Sequence, residues 1–169
     1  MKNLKKLISF AVIFTAITTA GFAQTATATS NAAAVIIAPL SITNTAGLHF
    51  GTIMRSAVAG TVSIATDGTR SSLGGVTLSA LAPVHSVATF DLEGESGNDV
   101  SITLPASTTI SNGTQTMVVD NFVSNPDDAN PVTLGGTPTV LSVGATLNVA
   151  ANQASGAYTG TFNVRIDYN

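Results

Sequence analysis

The stretch that decides the fold is Tyr158-Thr-Gly-Thr-Phe-Asn-Val-Arg-Ile-Asp-Tyr168, in which apolar residues or glycine alternate with polar ones. Successive side chains of a strand point to opposite faces, so this pattern predicts a strand with one face in the core. Each large side chain would contribute on the order of 1.5–3 kcal/mol if fully buried. The predicted core face consists of Tyr158, Gly160, Phe162, Val164, Ile166 and Tyr168.

The first residues predict a targeting signal. Three lysines precede an apolar run over residues 7–20, and small residues at 21 and 23 suit a peptidase site. This arrangement is typical of a secretory signal peptide over residues 1–23. The alternative is an uncleaved anchor, but the run is shorter than the roughly 20 residues of a spanning helix. We therefore expect a secreted, periplasmic or cell-surface bacterial protein without a stable membrane span after cleavage.

The mature chain would have 169 minus 23, or 146, residues, which suits one domain. It keeps three arginines and all nine acidic residues, so its formal charge is 3 minus 9, or −6. A negative surface of this kind argues against nucleic acid as a partner. The chain contains no cysteine, which rules out disulfides, thiol catalysis and cysteine metal sites.

Residues 24–34 contain mostly alanine, threonine and other small residues, whereas apolar segments begin at Val35. Two interpretations of this N-terminal extension remain open: a flexible leader, because little apolar surface can be buried, or a donor strand that pairs with a partner. In the second case the possible donor strand includes Ala26, Ala28, Val35 and Ile37.

Residues 35–169 show nine or ten short alternating segments that are separated by turn signals, and no amphipathic helix follows the signal. The strand around Pro39 is expected to lie at a sheet edge or to be kinked, because proline lacks the amide donor that a central strand needs. Asp67-Gly68 and Asn112-Gly113 predict hairpins, the second with a type I′ turn. The pattern is typical of a β-sandwich or barrel.

Few residues suggest chemistry. His49 and His85 are the only imidazoles, and no ligand spacing joins either of them to carboxylates. Arg70 is expected to form an exposed ion pair with Asp67. The sequence has no nucleophile elbow, phosphate loop or dinucleotide motif, so we expect no enzyme activity, cofactor or metal.

Two acidic groups allow two interpretations. The favoured one is a solvated loop, and the other is a calcium loop without the EF-hand pattern. The residues concerned are Glu93, Glu95 and Asp99 in the first group and Asp127 and Asp128 in the second.

The C-terminal run resembles the last strand of bacterial pilins assembled by the chaperone–usher route, which carry a glycine fourteen residues from the end and a penultimate tyrosine. Here these positions are Gly156 and Tyr168. The run is also similar to the ending of spore-coat-U-type domains. Residues 35–169 resemble more closely an uncharacterised exported family, domain of unknown function 4402. The matching stretches are Pro39-Leu-Ser-Ile-Thr43, Leu48-His-Phe-Gly-Thr-Ile53, Asp67-Gly-Thr-Arg70, Gly144-Ala-Thr-Leu147 and the tail from Gln153.

The resemblance implies an all-β, Ig-like (pilin-like) antiparallel Greek-key β-sandwich preceded by a signal-peptide helix. In such domains the N-terminal extension of a neighbour fills a groove beside the last strand. The residues that would line this groove here are those of the predicted core face, Tyr158, Gly160, Phe162, Val164, Ile166 and Tyr168. The resemblance therefore implies a non-catalytic surface or fimbria-like structural subunit with a role in cell adhesion. The partners that it implies are other copies of the chain, in a homo-polymer, or a periplasmic chaperone. A self-complete secreted module that binds glycan or protein is the alternative.

Overall fold

The computed structural model describes residues 24–169, so the predicted signal helix lies outside the described residues. The chain divides into two units, Met1–Val35 and Ile36–Asn169. Residues 24–40 form no regular secondary structure, and the side chains of Val35 and Ile36 are 90% and 93% exposed. No helix within residues 24–169 is long and apolar enough to cross a membrane.

Residues 36–169 form a β-sandwich-like all-β unit of antiparallel sheets. The main sheet has seven strands: β1 (Ser41–Ala46), β3 (Gly60–Ile64), β4 (Arg70–Gly74), β6 (Ala88–Glu93), β8 (Ser107–Ser111), β9 (Thr116–Asn125) and β11 (Thr139–Val149). Its main path is β1-β6-β11-β3-β4, while β9 pairs with both β11 and β8. Strand β1 follows Pro39 and lies at the edge, as the sequence predicts.

Two smaller sheets complete the unit. The first contains β7 (Asp99–Thr103) between β10 (Val132–Thr133) and β12 (Arg165–Tyr168), in the order β10-β7-β12. The second pairs β2 (Ile53–Met54) with β5 (Thr77–Leu78). Strand β12 therefore lies at the edge of the three-stranded sheet, just as β1 lies at an edge of the main sheet.

Apolar side chains from the two larger sheets form two buried clusters. The first joins β6, β7 and β11 through fully buried residues such as Leu92, Val100 and Leu141. The second joins β3, β9 and β11 around Val62, Val119 and Leu147. Strand β11 contributes to both clusters because its side chains are buried at most positions along its eleven residues. It is thus the strand that links the two halves of the core.

The predicted hairpins are present, but one turn differs from the prediction. Strands β3 and β4 flank Asp67-Gly68, and β8 and β9 flank Asn112-Gly113. A type I′ turn needs positive φ at both central residues, and here Gly113 has φ of 92° while Asn112 does not lie in that region. Instead the Asn112 side-chain oxygen accepts hydrogen bonds from Thr114 and from the amide of Gln115. The prediction of type I′ was therefore wrong.

Two strands differ from their predicted lengths. The sequence predicts only short strands over residues 35–169, yet β11 runs without interruption from Thr139 to Val149. The C-terminal run was expected as one strand from Tyr158, yet regular pairing begins only at Arg165. Both differences arise from long-range pairing partners, which the local alternation does not specify.

Candidate functional site

The C-terminal ribbon, residues 158–168, crosses from one sheet to the other. Its first part is joined to β8 by a bridge between Thr159 and Ser111, with main-chain bonds of 2.8 and 2.9 Å. Its last part is β12, which pairs with β7. The ribbon therefore runs along one side of the unit and pairs with both the main sheet and the three-stranded sheet.

The predicted core face of the ribbon is half-buried rather than fully buried. Phe162, Val164, Ile166 and Tyr168 pack against the first core cluster, while Gly160 is exposed. The ring of Phe162 lies 6.3 Å from that of Phe90 in an edge-on arrangement and 5.0 Å from that of Phe122. Such aromatic pairs add about 0.5–1.5 kcal/mol beyond area burial. Phe162 is thus the main anchor of the ribbon.

Gly160 lets the ribbon approach β8 closely. A Cβ atom at this position would lie 2.6 Å from the carbonyl oxygen of Thr109 and 3.0 Å from the side chain of Ile110. Tyr158, at the start of the ribbon, is half-buried, and its hydroxyl donates to the carbonyl of Ala154. The role of Gly160 is therefore close backbone contact, which alternation alone does not reveal.

Main-chain groups on one side of the ribbon have partners, whereas those on the other side do not. Thr159 exchanges both main-chain bonds with Ser111, the Thr161 carbonyl accepts from the Thr108 hydroxyl, and the Asn169 amide donates to Asp99. In an antiparallel strand the intervening residues direct their N–H and C=O groups the opposite way. Within residues 24–169 the main-chain groups of Gly160, Phe162 and Val164 have no hydrogen-bond partner, so this edge of the ribbon is open.

The segment of residues 47–53 lies across from the open edge. The main chains of His49 and Ser86 exchange two bonds of 2.9 Å, and the Thr52 amide donates to the Pro83 carbonyl. The Arg70 guanidinium donates to the carbonyls of Phe50, Thr52 and Ser79. Hydrogen bonds to Arg70, Pro83 and Ser86 thus hold residues 47–53 in place.

The expected ion pair of Arg70 with Asp67 is not formed. Asp67 instead accepts from the amide of Thr69 at 2.8 Å, and the main-chain and side-chain hydrogen bonds of Thr69 lower the pKa of this carboxyl from its ordinary value of 3.8. A half-buried guanidinium gains more from three carbonyl acceptors than from one exposed carboxylate. The local sequence could not show those acceptors, because they lie up to 20 residues away.

A cavity of about 910 Å³ separates residues 47–53 from the ribbon. We call this cavity the groove. Its lining is mainly apolar and comes from residues 47–53, from the first part of the ribbon and from strands of the main sheet. Leu48 and Phe50 line it on one side and Phe162 on the other, and the main sheet contributes Phe90, Ile110, Met117, Val119, Leu147 and Val149. An apolar groove next to an unpaired strand edge is suited to accept an extended polypeptide segment.

One end of the groove is closed by polar side chains. Gln153 is buried at 8% exposure, and its amide nitrogen donates to Gln115, to the Thr116 carbonyl and to the Tyr158 hydroxyl. Arg55 donates to the Gln153 carbonyl at 3.1 Å. These bonds satisfy a buried polar group and hold the start of the ribbon in position. The sequence analysis did not identify Gln153, since only the fold brings Gln115 close to it.

The other end of the ribbon is joined to the start of the domain by three hydrogen bonds that we call the clamp. The Tyr168 hydroxyl donates to the Ala38 carbonyl at 3.0 Å and accepts from the Glu95 amide at 2.7 Å. The Glu95 carboxylate accepts from the Ala38 amide at 2.8 Å. Tyr168 therefore holds the point from which the N-terminal extension leaves.

Three of the five acidic residues that the sequence analysis singled out accept hydrogen bonds through their side chains. Asp99 accepts from the Thr133 hydroxyl at 2.6 Å, Asp127 accepts from the Ala129 amide at 3.0 Å, and Glu95 belongs to the clamp. Both imidazoles are exposed. Across residues 24–169, three or more histidine, aspartate or glutamate side chains do not come together in a group able to hold a metal ion.

The predicted donor residues lie in or next to the N-terminal extension. Ala26, Ala28 and Val35 are exposed and belong to the first unit, whereas Ile37 is 45% exposed and belongs to the second. The structure gives none of the four a place in a strand. Their predicted role as a donor strand remains a proposal.

Comparison with known proteins assigns the family. The model of the family described as "Domain of unknown function (DUF4402)" matches residues 40–168. This match covers more than half of the chain, so the protein belongs to that family. Neither the curated proteins nor the solved structures contain a match.

Proposed function

We propose that the protein is an exported, non-catalytic structural subunit of a surface or fimbria-like assembly, and that an extended segment from another chain completes its groove. The observation that carries this proposal is the open edge at Gly160, Phe162 and Val164 beside an apolar groove of about 910 Å³. Main-chain hydrogen bonds to this edge would supply affinity, and side chains in the groove would set the register.

The edges of the two larger sheets support the proposal. Within residues 24–169, β1 pairs only with β6, and β12 pairs only with β7. Both strands send apolar side chains into the first core cluster, including Ile42 and Ile166. One further strand beside β12 would cover the half-buried side of this cluster and protect an exposed edge from non-specific pairing.

The finer features of the proposal rest on the resemblance to pilins and spore-coat-U-type domains. The proposal includes an Ig-like Greek-key arrangement with one missing strand, a signal-peptide helix over residues 1–23 and a role in cell adhesion. Delivery of the incomplete subunit by a periplasmic chaperone, followed by a homo-polymer, is the expected route. The tail positions Gly156 and Tyr168 support it.

Competition with a synthetic peptide tests the proposal. A peptide of residues 24–38 should bind the mature chain after residues 24–33 have been deleted, as measured by calorimetry. Methylation of alternate backbone amides removes the donors on one edge of an extended peptide. We expect one methylated set to abolish binding and the other set, as matched control, to bind like the parent peptide.

The outcomes separate strand addition from the alternative function. Equal binding of both methylated sets, or no binding of any peptide together with unchanged assembly of the deleted chain, would contradict strand addition. Specific binding of one glycan to the monomer would then favour the self-complete binding module. The mainly apolar lining of the groove makes that module the weaker candidate.

A further inference from the structure

We infer that the groove binds a long-chain carboxylate, with the alkyl chain against the apolar lining and the carboxylate group at Arg55. The inference goes beyond the proposed function, because it assigns to the same cavity a small amphiphilic ligand. It follows from the charge of the lining, from the free donors of Arg55 and from the division of the groove into a polar end and an apolar body.

The groove differs in charge from the rest of the protein. Residues 24–169 contain three arginines and nine acidic residues, so their formal charge is 3 minus 9, or −6. Among the described residues that line the groove there is no aspartate or glutamate, and Arg55 is the single arginine. A cleft that carries charge of one sign concentrates ligands of the opposite sign. The groove is therefore a place on this acidic chain that favours an anion.

Arg55 has donors that bind no other group in residues 24–169. Its one hydrogen bond there runs from a terminal nitrogen to the Gln153 carbonyl at 3.1 Å, and the ion pair in that part of the chain joins Arg165 to Asp167. A guanidinium carries several N–H donors in a planar fork that matches the two oxygens of a carboxylate. The remaining donors of Arg55 are thus available to a ligand, while the bond to Gln153 keeps the side chain at the groove.

One end of the groove carries a cluster of polar side chains. Arg55 and Tyr158 are both hydrogen-bonded to Gln153 at this end, and Ser155, which lies between the last two in the sequence, also lines the groove. The Gln153 nitrogen and the Tyr158 hydroxyl already donate within the protein. An anionic head at this end would therefore be bound by the Arg55 guanidinium and the Ser155 hydroxyl.

The remaining lining suits an alkyl chain. From Tyr158 to Phe162 the ribbon would span about 13 Å if it is extended. The volume of about 910 Å³ lies within the range of about 300–1,000 Å³ found for small-molecule sites, which are mainly apolar with a few polar groups that fix the orientation of the ligand. The side chains that would contact the alkyl chain include Leu48, Phe50, Phe90, Ile110 and Phe162.

Other classes of ligand fit this arrangement less well. A glycan carries hydroxyl groups along its whole length, and those against the apolar lining would lose their hydrogen bonds to water without replacement. A nucleic acid or a polyphosphate needs several cations, whereas the lining has one arginine. A long-chain carboxylate has one charge and one apolar body, which matches the division of the groove.

A series of alkyl ligands tests the inference on the mature chain. Calorimetry at pH 8 measures the binding of hexanoate, octanoate, decanoate and dodecanoate below the concentrations at which they form micelles. We expect the affinity to rise about fourfold for each methylene, because each one is removed from water, until the chain fills the groove. Decyltrimethylammonium, which has the same chain as decanoate's series but a cationic head, is the matched control and should bind at least tenfold more weakly than decanoate.

Two arginine variants locate the carboxylate group. Arg55→Gln removes the positive charge of the groove and should weaken the binding of decanoate about fivefold. Arg165→Gln removes the same charge from β12, where it does not line the groove, and should leave the affinity within twofold of the parent. Thermal unfolding shows whether each variant is folded.

Methyl resonances in NMR spectra locate the alkyl chain. Decanoate should shift the methyl signals of Ile110 and Val149, which line the groove. The methyl signals of Val140 serve as the control, because this side chain is exposed on β11 and does not line the groove.

The results can support or overturn the inference. Support requires the dependence on chain length, the specific effect of Arg55→Gln and the shifts at the groove methyls. No binding of any alkyl carboxylate, equal binding of the two head groups, or equal effects of Arg55→Gln and Arg165→Gln would overturn it. Tighter binding of a short apolar peptide, lost when its C-terminal carboxylate is amidated, would assign the groove to a peptide terminus and also overturn it.

The proposed function is tested separately by the peptide of residues 24–38. If decanoate binds and this peptide does not, the inference stands and strand addition fails; the opposite result refutes the inference and leaves strand addition intact. If both bind, decanoate should displace the peptide, because they share the groove. Binding of both without displacement, with the Ile110 signals shifted by the peptide alone, would overturn the inference.

Discussion

Gly160 shows how a single residue can set the distance between two strands. The sequence predicts it on the apolar face of the ribbon, yet its function in the structure is the absence of a side chain beside Thr109 and Ile110. A contact of this kind involves residues about fifty positions apart. The alternation of the ribbon therefore predicts Phe162 and Val164 as packing residues but gives no reason for glycine at 160.

We predict that Gly160→Ala destabilises the domain by about 1–3 kcal/mol, because the methyl group has to displace the ribbon from β8. The free energy of unfolding in urea measures this effect. Gly136→Ala is the matched control, because no atom lies within 4 Å of the corresponding Cβ position and its φ is ordinary. Equal stability of the two variants would contradict the assigned close contact.

Arg70 has a structural role that depends on the shape of its side chain. Its guanidinium contacts three carbonyls at 2.7–3.4 Å and thereby fixes residues 50–52 beside the groove. Sequence analysis placed this residue in the correct hairpin but with the wrong partner. The motif Asp67-Gly-Thr-Arg70 thus combines a turn with hydrogen bonds from Arg70 to segments that are distant in the sequence.

We expect Arg70→Lys to lower the free energy of unfolding by about 1.5–3 kcal/mol, since an ammonium group cannot reach the three acceptors together. Thermal unfolding measures the change. The control is Asp67→Asn, which keeps an acceptor for the Thr69 amide and removes the charge. If Arg70→Lys is neutral while Asp67→Asn is strongly destabilising, the local ion pair is the correct description after all.

At the scale of elements, alternation predicts most strands but not their partners. The segment of β6, with Ala88 and Leu92 buried and Glu93 exposed, follows its pattern closely. In contrast, the alternation does not show that β11 passes through Gly144, which is buried at a register shift against β9. The open edge of the ribbon was also beyond prediction, because main-chain pairing follows from the sheet and not from side-chain type.

We predict an alternating pattern of amide exchange along the ribbon. The amides of Thr159 and Asp167 should exchange slowly, because they point to β8 and β7, whereas those of Gly160, Phe162 and Val164 should exchange quickly in the monomer. Hydrogen exchange followed by NMR measures this pattern. When a strand is added, protection of the second set should rise at least tenfold.

The absence of that increase, with a peptide bound, would place the peptide elsewhere on the surface. The amide of Val62 in the central β3 strand serves as the control, because its exchange should remain slow in both states.

At the scale of the whole molecule, the net charge predicts how fast copies of the chain would associate. Residues 24–169 contain three arginines, nine acidic residues and no lysine, so their formal charge is 3 minus 9, or −6. Association should therefore be slowed by repulsion between subunits and should not depend on attraction between opposite charges.

We predict that assembly is faster at 300 mM sodium chloride than at 10 mM, by roughly tenfold, because salt screens the like charges. The initial rate of increase in light scattering measures it. A neutral osmolyte at equal osmolarity is the control and should have little effect. Slower assembly at the higher salt concentration would instead indicate oppositely charged surfaces in contact.

The position of the clamp also determines how a filament would carry mechanical load. In such a filament, tension on residues 24–37 would enter the domain at Ala38 and pass into β1, which pairs with β6 from Ser41–Glu93 to Ala46–Thr89. A force along the axis of β1 would load the hydrogen bonds between β1 and β6 together, in shear. It would not break these bonds one after another. The edge strand that appears least protected in the isolated subunit would then be the one best placed to resist extension.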